Sequence, residues 1–139
     1  MVIANGETRD VLLRLFEGEP LGTFFVPKTE KLASRKCWIA FTLKPKGLLR
    51  IDDGAANAVL NRGKSLLPSG IMDVEGEFGV GDPVGFAADG GEPFGTGLVN
   101  YSSLEVLKIM GLKSSRIKEL LGYKPYDEVI HRDNLVITK

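Results

Sequence analysis

The chain has 139 residues, of which 43% are hydrophobic and 26% charged, a composition typical of an ordinary globular protein. Its 18 basic and 18 acidic side chains cancel, so the overall charge does not indicate a dedicated nucleic-acid binder. The single cysteine, Cys37, excludes an intramolecular disulfide, and no apolar run approaches the roughly 20 residues that span a bilayer. These properties favour one compact domain with an attached arm, located in the cytoplasm.

The first 34 residues are predicted to form a small α/β arm. Residues 2–4 resemble the end of a buried strand, and Thr8 is the expected cap of a helix that ends at Gly18. Residues 22–27 are a second apolar run, and residues 28–34 have the polar composition of a linker. The expected apolar face of the helix consists of Val11, Leu12, Leu15 and Phe16.

The strand of this arm has no obvious partner in the sequence. We therefore interpret the arm as the last unit of a larger α/β domain. An exposed apolar helix face favours association, so we expect the helix to dock on the rest of the chain or to self-associate.

After residue 35 the pattern changes to short strands separated by Gly, Pro or Asp turns. An alanine-rich helix is predicted over residues 53–61, capped by Asp52 or Asp53 and ended by Gly63. The pattern predicts a mainly β fold with short helices. The expected strands are residues 37–42, 48–51, 70–75, 83–88 and 95–101. The expected core residues are Trp38, Ile51, Leu67, Ile71, Val74, Phe78 and Val84.

Further short elements are predicted after residue 101. Residues 102–105 form a capping box that opens a helix ending near Gly111. Ser114 or Ser115 begins another helix, which Gly122 ends. The expected apolar face of this helix is Ile117, Leu120 and Leu121, and the last strand candidates are residues 128–130 and 135–137.

Two short motifs resemble catalytic loops but do not meet their requirements. Gly63-Lys64-Ser65 lacks the earlier glycine of a nucleotide-binding loop, because Ala58 occupies that position, and Pro68 interrupts the helix that must follow. His131-Arg132-Asp133 resembles a kinase catalytic loop, but Thr138 stands where the metal-binding asparagine is required. No cluster has metal-ligand spacing. We therefore expect no catalytic, cofactor-binding or metal-binding residue, and a structural or interface role for His131.

Residues 49–102 resemble the PUA family, named for pseudouridine synthases and archaeosine transglycosylases. The matching segments are DGA at 53–55, GKSLLPSGI at 63–71, VEGEF at 74–78, GD at 81–82 and GLVNYS at 97–102. The resemblance implies a PUA-like pseudo-barrel of mixed strands. We expect this domain over residues 35–112, followed by a C-terminal helix and tail over residues 113–139.

The flanking segments are similar to the glutamate 5-kinase family. The similarity is carried by IANG at 3–6, GTFF at 22–25, RKCWI at 35–39, IKELLGY at 117–123 and VIHRDNLV at 129–136. It implies a parent enzyme that phosphorylates the side-chain carboxylate of L-glutamate with ATP and magnesium, the first step of proline biosynthesis. The catalytic residues of that family precede the position matching Met1. We therefore expect this fragment to be inactive alone and to contain no cofactor site.

Two roles remain open for the PUA segment. One is a structural or regulatory appendage of the amino-acid-kinase domain, within a homo-oligomer. The other is an RNA-binding module, as in RNA-modifying PUA proteins. Residues 36–113 carry 8 basic against 9 acidic side chains, which favours the appendage and predicts that any RNA binding is weak. The candidate RNA-binding residues are Arg62, Gly63, Lys64, Ser65, Leu66, Leu67 and Gly70.

Overall fold

The computed structural model describes residues 1–26, 36–39 and 43–138. The chain forms two compact units, Met1–Lys31 and Leu32–Lys139. The linker predicted over residues 28–34 lies outside the described residues. Within the described part of the chain, no helix has the length and apolar character needed to cross a membrane.

The first unit is a strand pair with one short helix between the strands. Strand β1 (Val2–Ile3) pairs antiparallel with β2 (Thr23–Phe24), and helix α1 (Val11–Phe16) separates them in sequence. The expectation of a buried strand without a partner is therefore wrong, since β1 is exposed and β2 is its partner. No residue of α1 is buried.

Helix α1 begins later than predicted. Asp10, not Thr8, is its N-cap, with φ 54° in the left-handed region that aspartate tolerates better than most residues. This conformation places Thr8 in the preceding turn, where its carbonyl accepts a hydrogen bond from the Val11 amide. The predicted end of the helix is confirmed, because Gly18 has φ 88° and donates to the Leu15 carbonyl.

The second unit is built on a mixed five-stranded sheet in the order β4-β3-β5-β6-β7. Strand β3 pairs antiparallel with β4 and parallel with β5, and the pairs β5–β6 and β6–β7 are antiparallel. This confirms the predicted α+β fold of mixed strands with short helices. The strands are β3 (Gly47–Ile51), β4 (Ile71–Gly76), β5 (Pro83–Ala88), β6 (Gly95–Leu98) and β7 (Leu135–Ile137).

Three helices of this unit begin or end at the residues that their sequence signals predict. Helix α2 (Asp53–Arg62) begins with the Asp52 carboxylate accepting from the Ala55 amide at 2.7 Å, and it ends at Gly63 with φ 56°. Helix α3 (Ser103–Ile109) has its predicted capping box, in which Glu105 accepts from the Ser102 amide at 2.7 Å. Helix α4 (Ile117–Leu121) ends at Gly122, again in the left-handed region.

The core of the second unit contains most of the predicted residues. Ile51, Ile71, Phe78 and Val84 are buried, and Val74 packs partly buried against them. Other fully buried side chains of the second unit include Leu49, Phe86, Tyr101, Ile109, Ile117 and Ile130.

Two core predictions are wrong, and in each case the preceding or following residue is buried instead. Leu67 is 44% exposed because Leu66, at 1%, faces the core, and neighbouring residues of an extended segment point to opposite sides. Trp38 is 48% exposed while Ile39 is buried. Residues 36–39 are helical, so the predicted strand over 37–42 is wrong where it is described. A short apolar run does not distinguish a strand from a buried helix.

The C-terminal segment contributes to the sheet. Strand β7 confirms the prediction over residues 135–137 and pairs with β6. Residues 128–130 form only an isolated bridge, between Ile130 and Leu66, rather than a full strand. The boundary between a PUA domain and a tail at residue 112 stays a prediction, since β7 belongs to the same sheet as β3.

Candidate binding groove

The loop that follows α2 is fixed to the C-terminal segment by main-chain hydrogen bonds. The Leu66 amide donates to the Ile130 carbonyl at 2.9 Å, and the Val129 amide donates to the Leu66 carbonyl at 2.8 Å. The Arg132 amide donates to the Ser65 hydroxyl oxygen at 3.0 Å. Two segments that are distant in sequence are therefore held side by side.

The far end of the same loop is a short 3₁₀ turn, Pro68–Gly70, which packs on the start of α2. The Asp52 amide donates to the Gly70 carbonyl at 3.0 Å. A Cβ atom on Gly70 would overlap the Cβ of Ala55. The close approach of turn and helix therefore requires glycine at position 70.

A groove of about 630 Å³ lies among α2, this loop and the C-terminal segment. Its volume is within the range of about 300–1,000 Å³ found for ligand sites. A second groove of about 350 Å³ shares Lys64 and Arg132 with the first. The first groove is lined by Asp52, Ala55, Ala58, Lys64, Ser65, Leu67, Ser69, Gly70, Glu128, His131 and Arg132.

The structure places the candidate residues predicted from the sequence in different positions. Lys64, Ser65, Leu67 and Gly70 line the main groove. Gly63 lines only the second groove, Leu66 is buried, and Arg62 lines neither.

Sequence reasoning missed Glu128 and Arg132 as groove residues. His131 also lines the groove, although we predicted only a structural or interface role for it. These three residues come from the other end of the chain. Their only signal in the sequence is that charged or titratable residues stand on both sides of the apolar pair Val129-Ile130, with Glu128 before it and His131-Arg132 after it.

Charges of both signs face the groove. In the described part of the chain, Lys64 has no ion-pair partner, while Arg132 lies 3.9 Å from the Asp133 carboxylate. Glu128 is mostly buried, with 18% of its side chain exposed, and its carboxylate lies 4.0 Å from His131 Nε2. The mixed lining gives no continuous positive surface for a polyanion.

His131 orients the turn that carries Arg132. Its Nδ1 atom accepts a hydrogen bond from the Asp133 amide at 3.2 Å, which caps the short 3₁₀ turn Arg132–Asn134. Within the described ranges, no three His, Cys, Asp or Glu side chains converge to hold a metal ion. These residues line a candidate groove that hydrogen bonds between the loop and the C-terminal segment hold together.

The PUA domain family matches residues 47–121, which run from β3 through α4. The match covers more than half of the chain and includes the loop and α2. The chain belongs to the PUA domain family.

Curated relatives narrow this assignment. Glutamate 5-kinase of Syntrophus aciditrophicus (strain SB) is 58% identical over 138 residues, which is 99% of this chain and 36% of that enzyme. Glutamate 5-kinase of Caldanaerobacter subterraneus subsp. tengcongensis is 55% identical over 137 residues, 99% of this chain and 37% of that enzyme. The chain therefore spans little more than a third of these relatives and corresponds to their PUA-containing C-terminal part.

Among solved structures, a PUA domain from Aeropyrum pernix K1 in a tartrate complex is 25% identical, with a TM-score of 0.46. That match covers 70% of this chain and 48% of the other chain.

Proposed function

We propose that this chain is the C-terminal part of a glutamate 5-kinase and acts there as a structural or regulatory appendage of the kinase domain. The parent would transfer phosphate from ATP, with magnesium, to the side-chain carboxylate of L-glutamate in the cytoplasm. The observation that carries the proposal is the match over 99% of this chain to an enzyme of that name at 58% identity. A match to the PUA domain alone would not identify the parent protein, because many different proteins contain this domain.

In this proposal the groups that bind ATP, magnesium and glutamate belong to the part of the parent outside this chain. Residues 63–65 support this division, because Gly63 ends helix α2 rather than preceding a helix. A nucleotide-binding loop presents phosphate to the amides at a helix start. Phosphoryl transfer depends on such positioned charges, so the fragment alone should have no activity.

The first unit fits the role of a segment from a larger domain. Its strongly exposed apolar side chains include Leu12 at 68%, Phe16 at 90% and Phe24 at 66%. Where exposed apolar side chains form a contiguous patch, the patch marks an interaction site. We assign residues 1–34 to the end of the amino-acid-kinase domain and its linker, and we propose that the parent is a homo-oligomer.

The RNA-binding alternative is supported by one feature, the pair of cations Lys64 and Arg132 in the groove. Asp52 and Glu128 in the same groove oppose it, because they would repel a phosphate backbone. The appendage is therefore the better-supported role. If single-stranded RNA binds through two cation–phosphate contacts, the logarithm of the binding constant should fall with the logarithm of the salt concentration with a slope of about −1.4.

An assay of the purified chain with ATP, magnesium and glutamate tests whether the catalytic groups lie outside this chain. We expect no phosphate transfer above a blank without protein, and turnover above that blank would contradict the proposal. A parallel titration with tRNA at low and moderate salt, using Lys64→Glu as the comparison variant, tests the alternative. Sub-micromolar binding that survives moderate salt and depends on Lys64 would favour the RNA-binding role.

A further inference from the structure

Helix α2 places opposite charges at the two ends of the main groove. Asp52 is the N-cap of α2, and Lys64 follows directly after its C-cap, Gly63. The ten-residue helix that separates these charged residues is about 15 Å long. Ala55 and Ala58, one turn apart, line the groove between them and leave its floor free of bulky side chains.

The cationic end is reinforced by Arg132. Lys64 and Arg132 both line the second groove as well, whereas Asp52 and Glu128 line only the first. The two cations therefore lie at the boundary between the grooves. Their proximity follows from the hydrogen bond between the Arg132 amide and the hydroxyl of Ser65, the residue after Lys64.

Two hydroxyl groups, those of Ser65 and Ser69, also line the groove. The Ser65 oxygen accepts from the Arg132 amide, and in the described structure neither Ser65 nor Ser69 donates a hydrogen bond. Each hydroxyl has one donor, which suits a carbonyl oxygen of a ligand. The groove thus offers hydroxyl donors in addition to a carboxylate end and a cationic end.

We propose that this groove binds an extended peptide segment of another polypeptide, with a basic side chain at the Asp52 end and an acidic side chain at the Lys64–Arg132 end. An extended strand rises about 3.3 Å per residue, so four or five residues span the helix length of about 15 Å. A single free amino acid is too short to reach both ends. Single-stranded RNA fits less well, because its evenly spaced phosphates would meet Asp52 and Glu128. The proposal does not depend on the activity of the parent.

Amide chemical-shift titration of the full chain tests this peptide site. The probes are an acetylated and amidated pentapeptide with arginine first and glutamate last, the reversed sequence, a version with glutamine at both ends, and a five-nucleotide oligouridylate. We expect one charged peptide to shift the resonances of Lys64, Ser65 and Ser69 and to bind more tightly than the glutamine peptide and the RNA.

Two variants test the charge pattern. Lys64→Ala removes a cation that has no ion-pair partner among the described residues, and Asp52→Asn removes a charge while keeping a side chain that caps helices well. Each substitution should lower the affinity for the charged peptide about two- to fivefold, as expected for exposed ion pairs. Lys108→Ala, an exposed lysine on α3 outside the groove, is the matched control and should have no effect. Glu128→Gln provides a second carboxylate variant should Asp52→Asn show a disturbed spectrum.

The possible outcomes distinguish a charge-selective peptide site from the alternatives. Tighter binding of the oligouridylate, lost in Lys64→Ala, would assign the groove to nucleic acid and overturn the proposal. Equal binding of the glutamine peptide would show that the charges do not select the ligand. The absence of shifts with every probe, up to the solubility limit of the peptides, would show that the groove is not a peptide site.

Discussion

The Arg132 amide donates a hydrogen bond to the Ser65 hydroxyl oxygen at 3.0 Å, which joins positions 67 residues apart in sequence. The pairing of Leu66 with Ile130 lies beside it, and β7 follows within a few residues. The groove and the edge of the sheet therefore depend on the same C-terminal segment. A loss of this attachment should weaken the fold as well as the groove.

Ser65→Ala tests the attachment. The substitution removes the acceptor of the Arg132 amide, and we expect the free energy of unfolding to fall by about 1 kcal/mol. Ser69→Ala is the matched control, because Ser69 lines the same groove and is exposed. Its effect should stay below about 0.5 kcal/mol. Urea denaturation of both variants provides the comparison, and equal losses would show that the hydrogen bond contributes nothing.

Gly70→Ala tests the close packing of the 3₁₀ turn on α2. The new methyl group would overlap the Ala55 Cβ, so we expect a loss of about 1–3 kcal/mol from overpacking. Gly79→Ala is the control, since a Cβ there meets only ordinary contact distances. Adding Ala55→Gly to Gly70→Ala should recover part of the loss measured by thermal unfolding. A double variant no more stable than Gly70→Ala would refute the steric explanation.

Phe78→Ala measures the contribution of a ring in the core. Phe78 is 6% exposed and belongs to the main buried cluster. Removing a buried phenyl ring typically costs about 3–5 kcal/mol. Val80→Ala, at a side chain that is 66% exposed, should change the stability by less than about 0.5 kcal/mol. A loss below about 1 kcal/mol for Phe78→Ala, in the same denaturation experiment, would contradict its core role.

The limits of helices α2, α3 and α4 were predictable because their signals are local. The caps of α2 and α3, and the glycines that end α2 and α4, act within one helical turn. The assembled groove was not predictable in this way. Arg132 reaches the groove only through pairing with a loop 67 residues earlier, and no local pattern encodes that contact.

The burial errors have a similar origin. The sequence LL at 66–67 does not specify which leucine faces inward, and the bridge between Leu66 and Ile130 decides it. Trp38 lies in a helix rather than in the predicted strand, and its side chain is exposed where we expected it to be buried. For the leucine pair, a tertiary contact therefore overrides a local preference.

Tyr101→Phe tests the role of a buried hydroxyl group, and we expect it to change how the stability of the chain depends on pH. The Tyr101 hydroxyl donates to the Tyr126 carbonyl and accepts from the Tyr126 amide at 3.3 Å. Burial raises the pKa of Tyr101 above its ordinary value because tyrosinate loses solvation. This contribution to stability is present below about pH 10, the unfolded value, and is lost as the pH rises through the folded pKa.

The Tyr101→Phe variant should therefore be less stable by about 1 kcal/mol at neutral pH and should lose less stability in alkali than the original chain. Denaturation at neutral and alkaline pH checks both effects. An unchanged alkaline dependence in the variant would show that Tyr101 is not the responsible group.

Replacing the corresponding C-terminal part of the Syntrophus aciditrophicus glutamate 5-kinase with this chain tests the central proposal most directly. The 58% identity over 99% of this chain makes such a chimera practical. Its ATP- and glutamate-dependent phosphate transfer is measured beside the intact enzyme and the enzyme truncated at the same junction. The account predicts that the chimera retains the activity and oligomeric state of the intact enzyme, while the truncated form loses them. A soluble chimera no more active than the truncated enzyme would contradict the assignment of this chain to the kinase.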